Sequence, residues 1–247
     1  MLEFPPMVTP SPASTLAFVL VVAAVATMIV AGMGRRGAVG GELEPGAVAR
    51  RWAWGTAAGL VVWLAVTGAV SASGVLAADT MPPRAMVFML GCNLLAVVLA
   101  MSRPGERLAR VVPIAALVGF HAFRLPLELV LHQWYGQGVL PIEMTYEGLN
   151  FDIVTGILAV LAGLWLWRRG PSRAVVWAFN LVGFGLLLNV MTIAVLSSPV
   201  PFRVFDSGTP VLLVFYFPYG WIVPMCVAPA LAGHLVVFRW LWRTRGQ

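Results

Sequence analysis

Seven separate apolar runs, each near the thickness of a lipid hydrocarbon layer, leave this chain few ways to fold. A helix that crosses a bilayer needs about 20 apolar residues, because its backbone polar groups must be satisfied within the segment. The runs are about Ala13–Gly32, Trp52–Leu76, Ala85–Met101, Val111–Tyr135, Ile153–Trp167, Ala174–Leu196 and Val211–Leu241. The third and fifth are short. The seventh is long and interrupted by Pro218, Pro224 and Pro229, so its first part is expected to lie along the interface. Charged residues make up only 11% of the 247, against about 25% in a soluble domain. A soluble globule, a disordered chain and a nucleic-acid module are therefore excluded. The expected fold is all-α: one polytopic domain over residues 1–247 with seven transmembrane helices.

The arginines give an orientation. All 16 basic residues are Arg, and there is no Lys. Lysine covalent chemistry, including a retinal Schiff base, is excluded. Thirteen arginines fall in alternate connections or at the last span's end: Arg35, Arg36, Arg50, Arg51, Arg103, Arg107, Arg110, Arg168, Arg169, Arg173, Arg239, Arg243 and Arg245. Only Arg84 and Arg203 fall on the other side, and Arg124 lies inside a span. Basic loops stay cytoplasmic, so the amino terminus is expected outside and the carboxyl terminus inside. The first run reads as a span, not a secretory leader: Glu3 precedes it, while Arg35 and Arg36 follow it. Abundant Ala, Gly, Val and Pro with no Lys suggests a GC-rich bacterial genome, and so the cytoplasmic (inner) membrane. Trp52, Trp54, Trp134, Tyr135, Tyr216, Tyr219, Trp221, Trp240 and Trp242 are expected to form interfacial belts.

The fourth run carries the chemistry. His121, Arg124, Glu128 and His132 share an arc of about 80° on a helical wheel, and the rest of the run is apolar. A charge at mid-membrane costs about 2.5–3.5 kcal/mol on insertion scales, so this face must look into protein or water. Arg124 and Glu128, four residues apart, are expected to pair. Pro126 is expected to kink the helix there.

The longest loop, about 136–152, lies on the outer side and has no basic residue. It carries Glu143, Met144, Glu147, Asn150 and Asp152. Asn150 or Asp152 fits a cap for the fifth span. His132, Glu128, Glu147 and Asp152 are expected to share an outward-opening pocket, with His121 deeper. The outer acids Glu3, Asp79, Glu143, Glu147, Asp152 and Asp206 would draw cations.

His132, Glu128 and Asp152 are donors that zinc or another divalent metal accepts. There is no HExxH, and His121 and His132 are too far apart along one helix to share an ion. A bis-His haem fits less well, because His234 is expected deeper, near the inner surface. Asn93, Thr155, Asn180, Asn189 and Thr192 read as interhelical hydrogen-bonding groups, and Cys92 and Cys226 as packing residues. No GxSxG, CxxC or phosphate loop is present.

Three functions follow. The first is transport or binding of a proton, cation or small polar solute. The second is a membrane enzyme acting on a lipid or small anionic substrate, with Glu128 or His132 as base and Arg124 as anion holder. The third is a structural or assembly subunit with a membrane-protein partner. The sequence leaves enzyme and non-enzyme open. The bilayer is the expected environment, and nucleic acid is not a partner.

Overall fold

A computed structural model of the chain describes residues 7–39, 42–77, 80–206 and 208–246. Glu3 and Asp79, two of the expected outer acids, lie outside the described residues. The chain is helical. Its α-helices are α1 (Pro12–Met33), α2 (Gly46–Ala72), α3 (Arg84–Met101), α4 (Arg103–Val111), α5 (Ile114–Gly119), α6 (Arg124–Gly136), α7 (Asp152–Arg169), α8 (Arg173–Leu196) and α9 (Ala228–Arg243). Two-residue strands, Ala38–Val39 and Glu42–Leu43, make a small antiparallel ribbon between α1 and α2.

Six segments are long and apolar enough to cross a membrane: Pro12–Met33, Gly46–Ala72, Arg84–Met101, Ile114–Gly136, Arg173–Leu196 and Tyr219–Arg243. Their outward faces agree with lipid contact. Trp54, Val61, Leu90 and Leu94 are all at least 60% exposed, a surface that water does not favour on this scale. α7 has the 18-residue length of α3 but bears Asp152 at one end and Arg168 and Arg169 at the other.

Local chemistry explains the helix limits. Ser11 caps α1, its Oγ accepting the Ser14 N–H at 3.3 Å, and Pro12 follows where no N–H is needed. α7 begins where the Asn150 Oδ1 accepts the Asp152 N–H at 3.1 Å. It stops at Gly170, whose φ of 86° suits glycine.

The fourth run is not one smooth helix. Phe120–Phe123 is a 3₁₀ turn between α5 and α6. Pro126 therefore sits in the first turn of α6, where its missing N–H is least costly. The irregularity lies before the proline. The seventh run also differs from expectation. Val211–Pro218 is largely non-helical; it buries Leu212 and Leu213 and leaves Tyr216 and Phe217 exposed. The chain crosses from Tyr219, through a π-helical turn at Val223–Val227, into α9. Trp134 and Tyr219 are core residues rather than belt residues: both are buried, and both rings pack on Phe18.

The arginine-rich segments meet at one end. Arg107 donates to both Glu44 oxygens (Nη1–Oε2 3.0 Å, Nη2–Oε1 2.5 Å) and to the Met33 and Arg35 carbonyls. Those bonds hold the Glu44 carboxyl below the ordinary carboxylate range. Arg239 donates to the Ala100 and Ser102 carbonyls, and Arg173 to Leu241 and Thr244. At the opposite end Gln137 meets Ser11, and Thr209 donates to the Gly138 carbonyl.

Candidate functional site

Two close helix approaches build the site. An added Cβ on Gly156 of α7 would stand 2.5 Å from the Leu125 backbone nitrogen of α6. Further along, Gly163 lies against Ala115 and Gly119. α7 thus runs antiparallel to α5 and α6 over their common length. That contact brings the loop ahead of α7 over the ionisable face of α6.

Arg124 pairs with Asp152, not with Glu128: its Nε lies 2.9 Å from the Asp152 Oδ2. Its Nη1 donates to the Gly183 carbonyl at 3.2 Å and lies 3.4 Å from the His234 Nε2. Glu128 is held instead by Asn150, whose Nδ2 reaches both carboxylate oxygens at 3.0 and 2.8 Å. The same Nδ2 donates to the Met144 carbonyl at 3.1 Å. Asp152 also accepts the Thr155 hydroxyl at 3.0 Å. Asn150 and Asp152 thus begin α7 as expected, and both also reach into the protein. The 3₁₀ turn explains part of the difference: at about 120° per residue it brings His121 and Arg124 into line, not 60° apart.

His234 is not deeper than His121 but level with it. It is buried and stacked on His121, with ring centroids 4.0 Å apart and planes at 29°. Its Nδ1 lies 2.8 Å from the Asn180 Oδ1, while the Asn180 Nδ2 donates to the His234 carbonyl at 3.2 Å. Two glycines make the room. A Cβ on Gly183 would meet His234 at 2.7 Å, and one on Gly233 would meet His121 at 2.9 Å. Among the described residues, both ring nitrogens of His121 and the Arg124 Nη2 have no hydrogen-bond partner. His121, Arg124, Glu128, Asn150, Asp152, Thr155, Asn180 and His234 are each less than 5% exposed.

His132 belongs to a separate, more exposed group. It stacks on Tyr146 (4.6 Å between centroids) and lies 3.7 Å from Glu147. The structure therefore brings His132 to Glu147, and Glu128 to Asn150 and Asp152, as two clusters along α6. Among the described residues no three His, Cys, Asp or Glu side chains converge as a metal centre needs. The stacked pair His121 and His234 presents ring faces to each other, whereas a bis-His iron needs a nitrogen from each aimed at a common point.

A cavity of about 140 Å³ reaches the buried cluster. Arg124, Glu128 and Asp152 are its ionisable lining residues, and Leu127, Met144, Leu187, Met191 and Cys226 form apolar walls. Its lining continues to Met81 and to Pro199–Pro201, in loops at the end opposite the arginine-rich one.

The chain belongs to a family described as a domain of unknown function (DUF8737), which matches residues 81–242. That stretch holds the whole buried cluster and leaves out α1 and α2. No curated protein and no solved structure matches the chain.

Proposed function

We propose that the protein binds or carries a proton, a cation or a small polar solute through the cavity over Arg124, Glu128 and Asp152. One observation carries this reading: two buried carboxylates and a single guanidinium, which pairs with only one of them, line a mostly apolar cavity. Unpaired buried charge is costly, so a proton or a cation is what balances the extra carboxylate. Glu128 is the exchangeable group, because its polar contacts come from a neutral amide while Asp152 has the arginine.

The test is thermal unfolding of the purified protein with added sodium, potassium, guanidinium and small primary amines. At least one cation should raise the melting temperature of the wild type, and Glu128→Gln should lose that rise. No shift with any probe, or an equal shift in the variant, overturns the reading.

A second reading rests on the Arg124 Nη2. It has no hydrogen-bond partner among the described residues, and Arg124 lines the cavity, so it is placed to hold a carboxylate or phosphate. That is the enzyme alternative, with a lipid or small anionic substrate. Guanidinium and amines would then give no stabilisation, whereas phosphate or a short carboxylate would.

The wider setting is part of this proposal. We read α7 as a seventh span, since it runs beside α5 and α6 through Gly156 and Gly163. The thirteen arginines then face the cytoplasm, the cavity opens outward, and the membrane is a bacterial inner membrane. Reporter fusions after Arg107 and at Gln247 should both report cytoplasm. An external signal at Gln247 would sink this topology.

A further inference from the structure

A second and larger space shares no lining residue with the cavity over Arg124, although Phe120 and Gly233 bring it up to the His121–His234 stack. It is a groove of about 840 Å³ between α1 and α2 on one side and α3, α5 and α9 on the other. That volume is within the range of about 300–1,000 Å³ usual for ligand sites. Its walls are almost wholly apolar, including Leu60, Leu95, Leu99 and Met225. α2 contributes a smooth strip, because Gly55 and Gly59 line the groove and an added Cβ on either would meet nothing within 4 Å.

The groove has two unlike ends. Trp63 is at one end, its Nε1 donating to the Pro224 carbonyl at 3.4 Å; beside it the Trp221 Nε1 donates to Leu64 at 3.1 Å. Those bonds tie α2 to the last span at that end. Arg35, Arg51 and Trp52 line the other end. Arg35 and Arg51 are exposed, and neither has a carboxylate partner among the described residues. From Trp52 to Trp63 the helix rises about 16 Å, close to half of a hydrocarbon core of about 30 Å.

We propose that this groove is a binding site for one anionic phospholipid of the leaflet on the arginine-rich side. An acyl chain fills the apolar groove, and the phosphate sits between Arg35 and Arg51. The charge at the mouth selects the lipid class. The depth of one leaflet fits a single lipid entering from that side. The site is independent of the cavity at Arg124, so either can fail without the other.

The test uses the full chain in nanodiscs of equal phosphatidylglycerol and phosphatidylcholine, released into detergent and weighed intact with its retained lipid. Phosphatidylglycerol should be retained in preference. Each basic residue near a membrane surface contributes about 1 kcal/mol toward anionic lipid, so the double variant Arg35→Gln, Arg51→Gln should lower retention about 30-fold. Gly59→Leu fills the groove without touching its charges, and should remove retention of both lipids while leaving the melting temperature of lipid-free protein unchanged. Equal retention of the two lipids overturns the proposal. So does a double variant or a Gly59→Leu protein that retains phosphatidylglycerol like the wild type. A lipid-free dimer would also overturn it, because a second copy would then cover the groove.

Discussion

Arg124→Leu and Asp152→Leu should each strip most of the folded protein from the membrane, and the double substitution should restore much of it. The two groups are an ion pair at 2.9 Å, both less than 5% exposed. Removing one partner of such a pair costs about 3–5 kcal/mol, because the remaining charge stays buried and unpaired. That is more than a hundredfold in a folding equilibrium. Removing both leaves an apolar patch, which is often close to neutral. The asymmetry between the two singles is also informative. Arg124→Leu strands Asp152 beside Glu128, two carboxylates with no guanidinium near them. Asp152→Leu leaves Arg124 with Glu128 as the nearest remaining carboxylate of the cluster. Arg124→Leu should therefore be the worse of the two. Yield of monodisperse protein and melting temperature in detergent measure both effects. A double variant with the summed loss of its singles would mean that the pair is not coupled.

The same cycle between Arg124 and Glu128 should give a smaller coupling. Spacing along one helix favoured that pair in the sequence, and four residues is the right separation for contact. What the spacing could not contain is a competitor from the next helix. Asp152 arrives at the start of α7, and Asn150 occupies both oxygens of Glu128. The ionisable face of α6 was legible because charge is rare in an apolar run. The partners were not, because each one comes from a segment with a local duty of its own. Asn150 and Asp152 look like helix-start residues, and they are, yet their side chains also close the site.

His234 was misplaced for a related reason. Counting along an unbroken last span puts it near the inner surface. The π-helical turn at Val223–Val227 interrupts that span, and the 3₁₀ turn at Phe120–Phe123 changes the rise of the run that carries His121. His121 lies seven residues, about 10 Å, from the start of α5, and His234 nine residues, about 13 Å, from the end of α9. The two histidines are thus at similar depth. Their signal in the sequence was not the histidines alone but the glycines opposite them. Gly183 and Gly233 have no turn to make inside their helices, and a glycine there marks a close approach. Most helix limits were readable to within a few residues, since about 20 apolar residues in lipid have one conformation open to them; the exceptions are α2, which starts six residues before its apolar run, and the last segment, which starts eight residues into its run.

Gly156→Ala should unseat the whole cluster from a position that bears no functional atom. An added Cβ there would lie 2.5 Å from the Leu125 nitrogen and 2.9 Å from its Cα. Those are backbone atoms, so no side-chain rotation relieves the clash, and α7 must move away from α6. Overpacking of this kind costs about 1–3 kcal/mol by itself. It also costs the ion pair, because Arg124 is the neighbour of Leu125 on α6 and Asp152 lies one turn before Gly156 on α7. A shift of about 1 Å between the helices would take the 2.9 Å contact, and the two bonds from Asn150 to Glu128, past useful hydrogen-bond length. Gly163→Ala is the control on the same helix. Its nearest neighbours would stand at 3.3, 3.3 and 3.4 Å, which a few tenths of an ångström relieves. The melting temperature should fall steeply for Gly156→Ala and little for Gly163→Ala. Adding Gly156→Ala to the Arg124→Leu, Asp152→Leu double variant should then cost only the overpacking, since no pair remains to break. If Gly156→Ala costs the same in both backgrounds, this glycine spaces the helices without governing the ion pair.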